Sequence, residues 1–421
     1  MKKTIILAAL ATLALSACTT NEYGWLKNGI DTAQHQLLLT ASEVDGTGML
    51  PRTIYSGYDL NFLERQLERD RSTFIDSLRV VDTEHLGQRR LTNIYNWVSG
   101  FYPGSLWLCY GITGNEQLEN YAKKFTNLLE PIRYYKNTHD LGFMMRCSFG
   151  EALNYAPADS IKTILTETAY NLAGRYKKSI GAIRSWDFGP WNFPVIIDNM
   201  MNLDLLYDVA DMTGDKELAQ IATTHANKTM ANHFRDDYTC YHVVSYKNDG
   251  RVEKKQTFQG KADDSAWARG QTWAVYGYTR AYIHTGDKRF LDFAEKVADM
   301  IMTRVITEDA VPYWDYNAPV TAETPRDASA AAVTASAMFD LCTLVENGQR
   351  YFDYGEKILK SLSSPAYLAK KGENCGFILM HSTGSLPNGS EIDVPLSYAD
   401  YYYLEAVKRY MNLKGITYKD L

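Results

Sequence analysis

Two aspartates stand in company that changes what a carboxyl group can do. Asp198 lies in the run FPVIIDNMMNL, among large apolar side chains that strip its water. Desolvation disfavours the charged form, so such a carboxyl holds a proton near neutral pH and can deliver it to a substrate. Asp140, in HDLGF, is a second acid followed by Gly and an aromatic. Both also sit where an Asp that only caps a helix would sit, just before an apolar segment. A general acid/base pair is one reading; two helix caps is the other.

Other groups suited to a site gather at what read as element ends, where sites are normally built. Residues 257–273, TFQGKADDSAWARGQTW, run into a helical segment in which Ser265, Arg269 and Trp273 recur every four positions and share a face. Asp263 or Asp264 is placed to cap that helix, and its first-turn amides with the Arg269 fork suit an anion. An Arg and a Trp so spaced also occur as a stacked core pair. Trp97 opens WVSGFYPG, where Gly100 and Gly104 let a ligand or a helix come close. Trp186 and Trp191 flank a Gly-Pro turn in SWDFGPW, His242 follows Tyr241 in a strand-like run, and Gln259 precedes Gly260.

The elements that must position these groups are helices. Helical periodicity covers 61–78, 97–113, 116–129, 160–176, 199–213, 216–234, 266–285, 288–303, 328–346, 351–361 and 398–413, while only 241–246 and 377–381 read as strands. Ile112-Thr-Gly-Asn115, Met212-Thr-Gly-Asp215 and His284-Thr-Gly-Asp287 form a weak repeat. Each closes one helix on a left-handed Gly and opens the next with a capping Asn or Asp. At 421 residues the chain exceeds the roughly 250–300 at which one compact core stops growing. Repeated antiparallel hairpins resolve this as an all-α toroid with a ring-shaped core, one domain over 51–421.

Composition narrows the partners. A formal net charge of only -6, with no Lys/Arg run, excludes a nucleic-acid footprint. The 30 Tyr and 8 Trp suit both helix packing and the apolar faces of sugars. Residues 1–17 open with Lys2 and Lys3, continue in an apolar run too short to span a membrane, and end in Leu-Ser-Ala before Cys18, the layout of an export signal. Leu15-Ser-Ala-Cys18 resembles a bacterial lipobox, which implies cleavage before Cys18, lipidation of its thiol and a membrane-anchored protein of a Gram-negative-type bacterium, facing the periplasm or the cell exterior. Residues 18–50 read as a tether and lead-in. The other five cysteines are scattered and odd in number, so neither a disulfide framework nor a metal site is expected.

HDLGF, IIDNMMNL, the YHVV run, FQGKADDSAWARGQTW, TPRDASAAAVTASA and ADYYYLEAVKR together resemble the unsaturated glucuronyl hydrolases, glycoside hydrolase family 88, from about Trp97 to the C-terminus. The resemblance implies an (α/α)6 barrel, no cofactor, and a substrate oligosaccharide ending in the 4,5-unsaturated uronate left by a polysaccharide lyase. It implies Asp198 as general acid/base and Asp140 as the second essential carboxylate. Trp97, Trp186, His242, Gln259, Arg269 and Trp273 fall on substrate-contacting positions. Tyr102, in place of a Trp after Gly-Phe, and Ala399, in place of Gly before Asp-Tyr-Tyr, are departures that bear on subsite shape. The implied chemistry is hydration of a vinyl ether, not displacement at the anomeric carbon. The related unsaturated rhamnogalacturonyl hydrolases, with the same barrel and chemistry on pectin fragments, are an alternative, whereas a lipid-anchored glycan-binding protein predicts binding without turnover.

Overall fold

The computed structural model describes residues 22–56 and 84–421. The expected export segment, Cys18 and the expected helix at 61–78 lie outside the described residues. Six helices form an inner ring: α2 (Phe101–Thr113), α4 (a π-helical stretch Gly142–Gly150 running on into Glu151–Tyr155), α6 (Asn199–Thr213), α8 (Ala268–Thr285), α10 (Ala328–Leu341) and α12 (Ser397–Lys414). Six more lie outside them: α1 (Gly24–Val44), α3 (Glu116–Leu128), α5 (Asp159–Ala173), α7 (Lys216–Asn232), α9 (Lys288–Arg304) and α11 (Gln349–Leu362). Each inner helix packs on the next, and α12 returns to α2, so the ring is closed. This is the closed toroid that the repeat predicts and the (α/α)6 barrel that the resemblance implies.

Burial separates the two rings. In α10 the run from Ala328 to Phe339 is buried on every face, as a helix inside a ring must be. In α11 only Tyr351, Gly355, Ile358, Leu359 and Leu362 are buried, the one-sided stripe of an outer helix. Close packing inside requires small residues. A Cβ on Gly100 would stand 2.2 Å from the carbonyl oxygens of Phe143 and Met144, and one on Gly104 would meet that of Cys147 at the same distance. Both glycines therefore admit α4, not a ligand.

The repeated turns behave as their residues dictate. Gly114, Gly214 and Gly286 close α2, α6 and α8 in the left-handed region, and the side chains of Asn115, Asp215 and Asp287 cap the helices that follow. Because inner and outer helices alternate through such turns, the inner helices all start at one end of the barrel. The other end is closed by charge: Arg280 donates to Asp204 at 3.0 Å, and Arg409 pairs with Asp340 at 3.1 Å and with Glu405 at 3.3 Å.

Four expectations change. Residues 24–44 are not a tether but the 21-residue α1, fixed to the barrel by Gln36, which donates to the carbonyls of Glu373 and Phe377. Residues 377–381 are not a strand, because the amides of Ile378 and Leu379 donate to the buried Asp400 carboxylate instead of to a neighbouring strand. Neither Asp263 nor Asp264 caps α8, whose cap position is Trp267; Asp263 accepts from the Thr257 amide. The Ala268 amide is taken by the Trp314 carbonyl, so that amide is not open to an anion.

Short strands serve the site end. β1 (Leu50–Ile54) pairs antiparallel with β2 (Arg89–Thr92), and β3 (Tyr176–Lys177) with β4 (Ala182–Ile183). A third antiparallel sheet runs β5 (Pro194–Ile196), β6 (Val243–Tyr246), β7 (Val252–Gln256).

Candidate active site

The residues singled out in the sequence converge where the inner helices begin. Trp97 precedes α2, Asp140 precedes α4, Asp198 precedes α6, and Arg269 and Trp273 occupy the first turns of α8. Asp198 sits at the cap position of α6 with helical backbone angles and makes no capping bond, which leaves its carboxyl for another role. Asn202, one turn into α6, accepts from the Phe143 amide at 2.9 Å and so ties the Asp198 segment to the Asp140 segment.

The third sheet brings His242 to Asp198. Ile196 pairs with Val243, and the Ile197 amide donates to the His242 carbonyl. His242 Nδ1 accepts from the amides of Phe258 at 3.0 Å and Gln259 at 3.2 Å, which assigns the ring proton to Nε2. That nitrogen lies 3.6 Å from Asp198 Oδ2.

Burial lifts the Asp198 carboxyl to about 7; the Arg269 charge opposes the shift and the Asp140 charge reinforces it. Its side chain is nevertheless 11% exposed, and that of Asp140 is 16% exposed. Both acids are thus reachable from solvent. Asp140 accepts from the Thr138 hydroxyl at 2.7 Å and lies 3.2 Å from Nε2 of His139. His139 is fully buried, and that burial lowers its pKa, so it stands beside Asp140 as a neutral ring.

Aromatic rings form two walls. In the first, Trp97 meets Tyr398 at 4.9 Å and Phe143 at 5.5 Å, and Phe143 meets Trp273 at 5.2 Å; only Trp97 is partly exposed, so Trp273, expected to contact substrate, instead backs the wall from the core. In the second, Trp186 packs with Phe188 at 5.0 Å, Phe258 at 5.2 Å and Trp191 at 5.5 Å. His242 joins the second wall to the acids, its ring 5.7 Å from Trp186.

Arg269 is placed differently from the open fork that the sequence suggests. It is 1% exposed, donates to Asp327 at 2.9 Å, Thr383 O at 2.6 Å and Gly384 O at 2.5 Å, and lies between the rings of Trp267 and Tyr398. Gln259 also donates to Gly384 O, at 3.1 Å. Arg269 and Gln259 therefore hold the 383–384 turn beside the pocket. Asp327, Tyr398 and His139 are the partners that sequence reasoning missed. Only His139 carried a local signal, its adjacency to Asp140.

Several buried polar atoms at this end of the barrel make no hydrogen bond of normal length: Asp198 Oδ2, which His242 Nε2 approaches to 3.6 Å, Trp273 Nε1, whose side chain favours the Asp198 anion, the Tyr398 hydroxyl and Asn199 Oδ1. Such atoms are rare in folded proteins. Among the described residues no cluster of metal-ligating side chains occurs. A protonatable carboxyl, a second acid and two aromatic walls at one end of an (α/α)6 barrel define a carbohydrate-processing enzyme.

Comparison with known proteins agrees. A family model described as a domain of unknown function, DUF4995, matches residues 1–69. The chain is 46% identical over 323 residues to an unsaturated glucuronyl hydrolase of Formosa agariphila, covering 76% of this chain and 80% of that protein. It is 32% identical over 327 residues to an unsaturated glucuronyl hydrolase of Bacillus sp. strain GL1, covering 75% and 86%. The fold superposes on a crystal structure of an unsaturated glucuronyl hydrolase specific for heparin with a TM-score of 0.85 at 46% identity, covering 94% of this chain and 99% of that one. The chain belongs to the unsaturated glucuronyl hydrolases, a family of glycosidases.

Proposed function

We propose that the protein hydrates the 4,5-unsaturated uronate at the non-reducing end of lyase-generated oligosaccharides of glycosaminoglycan or ulvan type, releasing a 4-deoxy-5-keto uronic acid. The observation that carries this reading is Asp198: a carboxyl lifted to about 7, partly exposed, with His242 Nε2 facing one of its oxygens at 3.6 Å. Protonated Asp198 gives its proton to C4 of the vinyl ether. Positive charge develops at C5, stabilised by the ring oxygen, and the carboxylate now formed draws a proton from the water that adds there. The resulting hemiketal opens, its C5 oxygen becomes a ketone, and the remaining chain leaves from C1.

His242 serves this cycle as a fixed donor. Its Nε2–H faces the carboxyl and supports the anion once the proton has gone. Asp140 disfavours a second negative charge and so keeps Asp198 protonated, and it accepts from sugar hydroxyls. Trp97 and Trp186 supply stacking faces. Arg269 acts through its field and by holding the 383–384 turn, since its paired N–H groups face protein acceptors.

The test is a panel of unsaturated disaccharides cut by lyases from glycosaminoglycan, ulvan and pectin. Loss of the ultraviolet absorbance of the C4=C5 bond on one of the first two supports the reading. Turnover of pectin fragments alone would reassign the enzyme to rhamnogalacturonyl substrates, and binding without turnover would make it a glycan-binding protein. The lipobox-like LSAC supports a further part of the proposal, that the mature chain is an exported lipoprotein held to a membrane through Cys18.

A further inference from the structure

The second aromatic wall continues beyond the ring that the reaction needs. Exposure rises along it: the Asp198 side chain is 11% exposed, Trp186 is half-buried, and Phe188 is 53% exposed. Phe188 lies nearly parallel to Trp186, with 21° between the ring planes and 5.0 Å between centroids. Isolated exposed aromatics need no explanation, but this one prolongs a wall that begins beside the catalytic acid.

The loop that carries Phe188 is tied down by hydrogen bonds and ion pairs. Arg184 donates to the Trp186 carbonyl at 2.7 Å, and the Asp187 carboxylate is held by Arg175 at 2.9 Å and Arg184 at 3.1 Å. Gly189 turns the chain with a φ of +86°, and a Cβ there would stand 2.4 Å from the Trp191 ring. No side chain other than hydrogen fits that turn. Trp191 is fixed in turn by its indole N–H, which donates to Gln256 at 2.9 Å. The benzyl face is therefore presented to solvent by a preorganised loop instead of folding inward, a cost in exposed apolar area that a ligand would remove.

We propose that Phe188 is an outer sugar-binding platform, which stacks on residues of the oligosaccharide beyond the uronate to be released and makes the enzyme favour longer chains. The proposal rests on the reading given under Proposed function and extends it outward from Trp186. The occupant is the reducing-end part of the same substrate, because Phe188 stacks on Trp186, whose ring meets His242 beside Asp198, and a flat, uncharged ring face matches the apolar face of a pyranose. Specificity set here is for chain length, since one exposed ring offers stacking and no directional polar group.

The experiment compares an unsaturated disaccharide with the unsaturated tetrasaccharide from the same polymer, in the wild type, Phe188→Ala and Phe188→Tyr. The tetrasaccharide-to-disaccharide ratio of kcat/KM is expected to fall about fivefold in Phe188→Ala, through KM, and to be retained in Phe188→Tyr. Thermal midpoints read alongside are expected to stay with the wild type, since the side chain is exposed. An unchanged ratio in Phe188→Ala, or equal losses on both substrates, overturns the platform while leaving the reaction in place. Absence of turnover of any unsaturated oligosaccharide by the wild type overturns the reaction itself, and the platform with it.

Discussion

Nε2 of His242 faces Oδ2 of Asp198 at 3.6 Å, while the other ring nitrogen is held by two backbone amides. Those amides leave the imidazole one neutral tautomer, with its N–H aimed at the acid. Such a donor does little for a protonated carboxyl and much for the carboxylate left after proton transfer. His242→Ala is therefore expected to lower kcat by about 10²-fold with a smaller change in KM. Single-substrate kinetics check this; a raised KM with kcat intact would make His242 a binding group only.

Asp198→Asn removes the proton that is delivered to C4. Loss of the double-bond absorbance is expected to slow by at least about 10³-fold while disaccharide binding persists. Retained turnover would sink the assignment. The same variant has an opposite effect on stability. The native carboxyl keeps its proton to about 7, against 3.8 for the unperturbed group. Between these values the unfolded chain binds fewer protons than the native one, so this group's contribution falls as pH rises. Asn does not ionise. The variant is expected to be more stable than the wild type by roughly 1–3 kcal/mol at pH about 8, and by less at pH about 5. Thermal unfolding at both pH values reads the difference.

The activity profile follows from the same proton. Turnover requires protonated Asp198, so kcat/KM is expected to be level on the acid side and to fall tenfold per pH unit above about 7. Asp140 raises that value through its charge. In Asp140→Asn the alkaline limb therefore moves to lower pH, whatever happens to the maximum rate. A limb that stays in place would remove Asp140 from the control of the proton.

How much of this is legible in the sequence depends on whether the signal is local. The Thr-Gly-Asp turns contain their own cap chemistry, and they place α6 and α7 almost to the residue. The apolar run around Asp198 announces its desolvation. α1 is obscured because Thr32, Gln36 and Thr40 are buried in it, and the partners of Gln36 lie more than 330 residues away. For the same reason 377–381 reads as a strand: nothing nearby reveals that Asp400 collects its amides. Arg269 looks like an open fork until Asp327, 58 residues on, is seen to fill it.

The anchor proposed at Cys18 has a simple test. Cys18→Ser is expected to move the protein from the membrane pellet to the soluble fraction of an expressing cell and to abolish incorporation of a labelled fatty acid. A chain that stays in the soluble fraction with Cys18 intact would refute lipidation.

The Arg269–Asp327 pair separates positioning from binding. Both side chains are essentially buried, and Asp327 also caps α10 by accepting from the amides of Ser329 at 3.1 Å and Ala330 at 3.3 Å. Asp327→Ala leaves a guanidinium in the interior without its counter-charge and is expected to cost roughly 3–5 kcal/mol. Replacing both, as Asp327→Ala with Arg269→Met, removes the orphaned charge and is expected to recover part of that loss. Activity is not expected to return with it, because the carbonyls of Thr383 and Gly384 lose the group that holds the turn beside the pocket. Urea unfolding of the four proteins of this cycle, with kcat/KM measured on each, decides the matter. A double variant as unstable as Asp327→Ala would show that the lost cap, not the unpaired charge, dominates; a double variant with wild-type kcat/KM would show that the turn needs no anchor.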